Sequence, residues 1–179
     1  MITLRDLQAH ELHRLGEIDR SEHVTLSYRV EDGVLVSKAV AWDVPRWSDE
    51  RVEGYVCEFV ARLERGGICA AAEDTAEGGR LAGMAILAAG PVETLPSLLP
   101  LLFFHVSRPY RRRGVASRLL ERVEHEARGL GVAGVYISAT PTGSAVGFYL
   151  NHGATLLATP DPALQAAEPD DIHMGLTFR

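Results

Sequence analysis

The 179-residue chain contains only two cysteines, Cys57 and Cys69. Their spacing is not that of a metal site, and two cysteines do not make the disulfide framework of small secreted domains. Nothing in the pattern marks either of them as a nucleophile. We therefore expect reduced thiols, no metal and a cytoplasmic location.

Long apolar runs are also missing, since no stretch approaches the ~20 residues that a membrane span needs. The segment that starts at Met1 shows no secretory pattern. No Gly-x-x-x-x-Gly-Lys-Ser/Thr sequence is present, which argues against a P-loop nucleotidase. The residues 129–134 spell Gly-x-Gly-x-x-Gly, but they follow a helical pattern and precede a strand, the reverse of a dinucleotide site. The sequence thus predicts no membrane partner and no dinucleotide.

The overall composition, with 46% hydrophobic and 23% charged residues, is ordinary for a globular protein. The length favours one domain over residues 1–179. The net charge of −6 argues against nucleic acid as a partner and weakly favours a cationic substrate by electrostatic steering.

The most informative stretch is a predicted strand, a basic turn and a helix in succession. Residues 98–104 form a short apolar run that reads as a buried strand. The turn contains Arg111, Arg112, Arg113 and Gly114, and a helical pattern begins at Val115. The apolar positions of this helix recur at helical spacing, at Val115, Leu119, Leu120, Val123 and Ala127.

This arrangement suits an anion. The first turn of a helix has backbone N–H groups without intrahelical partners and carries the positive end of the macrodipole. Gly114 and Ala116 are small enough to let a ligand oxygen approach the main chain. The sequence therefore predicts a phosphate or pyrophosphate site, with a solvated basic surface as the alternative.

A β-hairpin is predicted over residues 24–42, because apolar and polar residues alternate on both sides of Asp32-Gly33. Its neighbour Ser48 is expected to cap a helix, and Ser144 a shorter one. Trp42 and Trp47 either cover the edge of the core or form an aromatic wall for a cationic ligand.

Other strands are predicted at residues 2–4, 68–72, 81–89, 135–138, 155–157 and 172–176, with a helix after the first. Residues 159–171 read as a solvated hairpin loop, with a lid as the alternative.

Two motifs carry a family resemblance. Arg111, Gly114 and Ala116 fit Gln/Arg-x-x-Gly-x-Gly/Ala at a strand-to-helix turn, and the segment 145–153 fits Ala-x-x-Phe-Tyr-x-x-x-Gly. Together they make the C-terminal half resemble the GNAT N-acetyltransferases. Thr142 stands where that family usually has Asn.

The resemblance implies an α/β (α+β) GNAT fold. Its central sheet is mixed, mostly antiparallel and splayed between the fourth and fifth strands, here residues 101–106 and 135–138, with helices on both faces. The predicted hairpin would be an addition to that fold.

The resemblance also implies acetyl-CoA as cosubstrate and transfer of its acetyl group to a primary amine by direct attack in a ternary complex. The acceptor stays open among a polyamine, an antibiotic amine, an amino acid and a protein amine. A non-catalytic acyl-CoA-binding sensor and an acyltransferase using a different acyl-CoA also remain open, as does a homodimer.

The resemblance assigns acetyl-CoA contacts to residues of the strand, the basic turn and the later helix. They are Phe104, Val106, Arg111, Arg112, Arg113, Gly114, Val115, Ala116, Ser117, Thr142, Phe148 and Tyr149. An N–H near Val106 would polarise the thioester oxygen. Tyr149 matches the general acid that protonates the leaving sulfur, with packing under the central helix as its alternative role.

The general base has several candidates. His105 precedes Val106, and an imidazole titrates in a useful range, although alternation along a strand could turn it away. Glu22 and Asp19 lie where the first helix meets the hairpin, and His173 lies on a late strand. Tyr149, His105 and Glu22 are the predicted catalytic residues, and a water chain without a single base is the alternative.

Overall fold

The computed structural model describes residues 1–178 and is built around a seven-stranded sheet. The strands are β1 Ile2–Asp6, β2 Glu22–Glu31, β3 Val34–Val44, β4 Ile68–Asp74, β5 Arg80–Leu87, β6 Leu98–Val106, β7 Gly134–Ala139, β8 Thr155–Leu156 and β9 Ile172–Thr177. The α-helices are α1 Asp49–Glu64, α2 Val115–Gly129, α3 Gly143–Asn151 and α4 Pro162–Ala167, and Ala9–Glu17 forms a 3-10 helix. The sheet order is β1-β4-β5-β6-β7-β9-β8, and within residues 1–178 only β6 and β7 pair in parallel. The predicted mixed, mostly antiparallel sheet is confirmed.

Helices cover both faces of this sheet, as predicted. On one face, α2 and α3 bury residues such as Leu119, Val123 and Tyr149 against β4–β7. On the other face, the 3-10 helix and α1 bury Leu12 and Phe59. The first helix was predicted only as helical, and it is a 3-10 helix whose two leucines, Leu12 and Leu15, are buried.

The predicted hairpin is present as β2 and β3, which form a separate two-stranded sheet. Asp32 and Gly33 have φ values of 49° and 76°, the positive values at both central positions that a type I′ turn requires. The hairpin is tied to the body near the end of β7. The Pro141 carbonyl accepts hydrogen bonds from the Ser27 hydroxyl at 2.9 Å and the Tyr28 N–H at 3.0 Å.

Two local predictions were wrong. Helix α3 is capped by Thr142, whose hydroxyl accepts from the Ala145 N–H, and not by Ser144. The segment 159–171 is not a plain loop, because it contains α4, capped by the Asp161 carboxylate. Ser48 does cap α1, since its hydroxyl accepts from the Arg51 N–H.

The two cysteines are free, Cys57 exposed and Cys69 buried. Within residues 1–178, no helix has the length and apolar character needed to cross a membrane.

Candidate functional site

The sheet opens between β6 and β7. The two strands pair from Leu98 opposite Gly134 to Leu101 opposite Ile137, and β6 then continues to Val106 paired with β5 but no longer with β7. A β-bulge lies at the same place, because β6 is offset by one residue against β5 between Leu101 and Phe103. A bulge bends its strand and redirects the following side chains. The predicted splay is therefore present, and it begins after Leu101.

The backbone of β6 offers a hydrogen-bond donor to this opening. The Ser107 N–H donates to the Ala82 carbonyl of β5 at 2.9 Å. Since successive N–H groups of an extended strand point to opposite edges, the Val106 N–H faces the opening. Gly83 permits this close pairing, because a Cβ there would lie 2.9 Å from the His105 carbonyl oxygen.

The N-terminus of α2 lies at the end of the same strand. Arg112 and Gly114 have positive φ values of 63° and 76°, which fold the basic turn tightly before the helix. The first intrahelical bond runs from the Arg118 N–H to the Gly114 carbonyl at 3.1 Å. The N–H groups of Val115, Ala116 and Ser117 precede this bond, so they are open to an anion.

The three arginines of the turn are placed differently. Arg112 and Arg113 are exposed, where they can attract an anion, whereas Arg111 is half-buried and turned inward. Its guanidinium donates to the carbonyls of Arg20 at 3.0 Å, Val106 at 3.1 Å and Ser21 at 3.3 Å. The Arg111 side chain thus fastens the start of β2 to the end of β6.

Tyr149 lies on the α2 face of the sheet with the aromatic residues predicted to contact the cofactor. Phe104 and Phe148 stack with ring centroids 5.6 Å apart, and Tyr149 lies 6.0 Å from Phe104. Desolvation raises the pKa of the buried Tyr149 hydroxyl, so it stays protonated at neutral pH. Ser117, also among the predicted contacts, approaches His152 at 3.4 Å.

His105 lies on the opposite face of β6. Its ring packs against Trp47 at 4.9 Å and Phe103 at 4.7 Å between centroids. Burial, and after it the charges of Arg20 and Arg111, lower the pKa of His105 to about 3. The ring keeps some solvent-accessible surface, but it is neutral at physiological pH and a poor proton acceptor.

Glu22 lies at the start of β2, where the hairpin meets α3. One oxygen, Oε2, accepts from the Ser144 hydroxyl at 2.9 Å and faces Arg111 Nη1 at 3.4 Å. Within residues 1–178 the other oxygen, Oε1, has no hydrogen-bond partner. Glu22 also lines a cavity of about 340 Å³ with Val24, Leu26 and Gly143. The structure thus brings Glu22 and Arg111 together, which the sequence did not predict.

The two remaining base candidates are engaged elsewhere. Desolvation raises the pKa of Asp19, but hydrogen bonds from Ser21 and the charges of Arg46 and Arg108 outweigh it, so the net pKa is lowered. His173 is buried, and its Nδ1 lies 2.9 Å from the Tyr136 hydroxyl and its Nε2 3.0 Å from the Glu168 carbonyl. Within the described chain, no group of three or more His, Cys, Asp or Glu side chains is placed to hold a metal ion.

Sequence reasoning left two alternatives for the tryptophans and missed one contributor, Ser107. Trp47 packs against His105, while Trp42 is exposed on the hairpin, so the two tryptophans have different surroundings. Ser107 is buried, and its hydroxyl accepts from the Asp19 N–H at 3.0 Å. A polar residue directly after an apolar strand is the only signal that could have marked Ser107.

A mixed sheet that opens beside a helix N-terminus, with a backbone N–H facing the opening, is the α/β architecture that the GNAT resemblance implies. The chain belongs to the GNAT acetyltransferase family, whose family model matches residues 36–154. No curated protein sequence matches the chain significantly.

Solved structures share the whole fold. One is a protein assigned as a streptothricin acetyltransferase from Bacillus anthracis, in complex with acetyl coenzyme A (TM-score 0.72, 18% identity, covering 100% of this chain and 99% of that one). A nourseothricin acetyltransferase gives a TM-score of 0.73 at 18% identity and 98% coverage of each chain. The PaiA N-acetyltransferase of Thermoplasma acidophilum, in complex with coenzyme A, gives 0.61 at 16% identity and 99% coverage of each chain. At these identities, the likeness concerns the fold alone.

Proposed function

We propose that the protein is an N-acetyltransferase that moves the acetyl group of acetyl-CoA to a primary amine by direct attack in a ternary complex. The observation that carries the proposal is the opening between β6 and β7, with the Val106 N–H on its edge and the N-terminus of α2 beside it. Family membership supports the same reaction.

Each part of the opening suits one part of the donor. The N–H groups of Val115–Ser117, with Arg112 and Arg113 close by, suit the pyrophosphate. The free edge of β6 from Phe104 to Val106 can pair with the amide groups of pantetheine, and Phe148 offers an apolar wall. The Thr142 hydroxyl already caps α3, so it offers less to the donor than the family's usual Asn.

The proposed chemistry needs charge stabilisation and two proton transfers. The Val106 N–H would stabilise the charge that develops on the thioester oxygen. Tyr149, which keeps its proton at neutral pH, would protonate the leaving sulfur. Glu22 would take the proton of the attacking amine, directly or through water, because its Oε1 has no hydrogen-bond partner among residues 1–178 and the residue lines a cavity. His105 would stay neutral and line the acceptor side.

Thermal unfolding with and without excess acetyl-CoA tests the donor site. A ligand that binds only the folded state at about 100 times its Kd adds ~2.7 kcal/mol of stability. We expect this gain in the wild type and its loss in Ala116→Glu, which puts bulk and negative charge at the turn. The matched control is Ala163→Glu, the same substitution in the first turn of α4, which should keep the gain. A folded wild type that acetyl-CoA does not stabilise would contradict the proposal.

Release of CoA thiol with a panel of amines then tests catalysis and the role of Glu22. The panel includes streptothricin, because the names of two structural neighbours point to it and to nourseothricin. Glu22→Gln should lower kcat/KM for the best amine about 100-fold, within the range for general-base catalysis, while acetyl-CoA still stabilises the variant. An unchanged pH–rate profile in Glu22→Gln would remove Glu22 as the base. Acetyl-CoA binding without thiol release for any amine would favour a non-catalytic module.

A further inference from the structure

One cation near the acceptor side has no anionic partner. Arg20 lies between the 3-10 helix and β2, and its guanidinium carbon sits 5.4 Å from the centre of the Trp47 ring. Its Nε donates to the Pro45 carbonyl at 3.2 Å. Among residues 1–178, its Nη1 and Nη2 have no hydrogen-bond partner and no ion pair.

Three carboxylates of this region contact other side chains, and Glu22 does so through Oε2 alone. Asp19 faces Arg46 at 3.8 Å, Glu22 faces Arg111 at 3.4 Å and Asp43 approaches the His23 ring at 2.8 Å. Arg20 is half-buried, so water reaches only part of it. A partly desolvated guanidinium without a counter-ion favours binding an anion.

Arg20 is also held next to the proposed reaction centre. The Arg111 guanidinium donates to the carbonyls of both Arg20 and Val106. The Trp47 ring, over which the Arg20 guanidinium lies, also packs against His105, the residue before Val106. Arg20 is therefore held close to His105 and Val106, at the end of the opening.

The geometry of the guanidinium defines the ligand. With Nε bonded to the Pro45 carbonyl and the guanidinium carbon 5.4 Å from the centre of the Trp47 ring, Nη1 and Nη2 form the free end of the fork. That end matches the two oxygens of a carboxylate. We propose that Arg20 binds a carboxylate of the acceptor, which is therefore a primary amine that also carries a carboxylate, as an amino acid does. This inference rests on the proposed function, and it names the acceptor class for that site.

The proposal refines an expectation from composition. The net charge of −6 favours a cationic substrate over long distances. Near His105 the local field is positive, because the charges that act on this residue are those of Arg20 and Arg111. A polyamine would have to approach these arginines, whereas an amino acid offers its ammonium to Glu22 and its carboxylate to Arg20.

Binding of reaction products tests this inference without requiring turnover. We would titrate a panel of N-acetyl amino acids, and the corresponding N-acetyl amino acid amides, into the wild type in the presence of CoA by calorimetry. At least one free acid should bind about tenfold or more tightly than its amide, as expected for a hydrogen-bonded charge pair. Arg20→Gln should remove this preference. Arg20→Lys, which keeps the charge without the fork, should restore part of it.

The control is Arg29→Gln on the hairpin, which removes an arginine paired with Glu31 and should keep the preference. Acids that bind no better than amides, no binding of any acid, or a preference that survives in Arg20→Gln would each overturn the inference. So would a kcat/KM for a carboxylate-free polyamine above that of every amino acid. In all these cases, release of CoA thiol with amines that carry no carboxylate leaves the proposed function intact. Failure of acetyl-CoA to stabilise the wild type would instead remove that function.

Discussion

His105 shows how the surroundings of one residue decide its chemistry. It directly precedes Val106, so by position alone it is the natural base. The bulge at residues 101–103 places its ring among Trp47 and Phe103, on the face opposite Tyr149. There, desolvation and two arginine charges favour the neutral form. Glu22, which is far from Val106 in sequence, has the free oxygen that a base needs.

The lowered pKa of His105 predicts a loss of stability on acidification. In the unfolded chain the imidazole binds a proton near pH 6.5, but in the folded protein only near pH 3. The contribution of this group is therefore complete above pH 6.5 and is lost as the pH falls toward 3. Between pH 7.5 and 5 the free energy of unfolding falls by at most about 2 kcal/mol. The fall is smaller to the extent that water reaches the residue.

Urea unfolding at pH 7.5 and 5 measures this loss, and His105→Phe should reduce it. Any constant cost of the substitution cancels, since each protein is compared with itself. The lowered pKa values of Glu11, Glu17 and Asp19 also cost stability in acid, and they do so in both proteins. An equal pH dependence in both would show that His105 titrates normally.

At the scale of elements, the site depends on where strands and loops meet. Arg111 joins the start of β2 to the end of β6 through main-chain carbonyls, and Pro141 holds the middle of β2 near the end of β7. Strand β2 therefore crosses the end of the opening. This arrangement makes the hairpin one wall of the opening.

Gly134 is the clearest test of strand packing. A Cβ at this position would lie 2.2 Å from the Leu176 carbonyl oxygen of β9, and backbone cannot easily give way. Gly134→Ala should therefore destabilise the fold by about 2 kcal/mol or more. Chemical denaturation measures the change. In Gly54→Ala a Cβ meets nothing within 4 Å in α1, so this control should gain about 0.5–1 kcal/mol. Equal stability of Gly134→Ala and the wild type would contradict the packing.

Local patterns predicted the elements better than their meeting points. Asp32-Gly33 and Ser48 carry their own conformational preferences, so the hairpin and the start of α1 could be read from sequence. Asp161 before Pro162 is also a helix start, but the composition of the segment masked it. The bulge in β6, which decides where His105 points, depends on pairing with β5. No sequence near His105 encodes that partner.

At the scale of the whole molecule, two fields of opposite sign act on an anionic donor. The net charge of −6 repels it from a distance, whereas Arg112 and Arg113 attract it at the turn. Salt screens both, but charges within a Debye length of the ligand, ~8 Å at physiological ionic strength, contribute most to binding. We therefore infer that the local arginines decide the sign of the salt effect.

The affinity for acetyl-CoA should accordingly fall as salt rises. We expect a Kd several-fold higher at 500 mM than at 50 mM NaCl by calorimetry. The double variant Arg112→Ala/Arg113→Ala should bind more weakly at low salt and lose most of this dependence, because its remaining field is that of an acidic protein. Arg29→Ala, which removes one charge from the hairpin, should leave the slope unchanged. Tighter binding of acetyl-CoA at high salt would mean that the net charge dominates, and the exposed arginines of the turn would then have no part in holding the pyrophosphate.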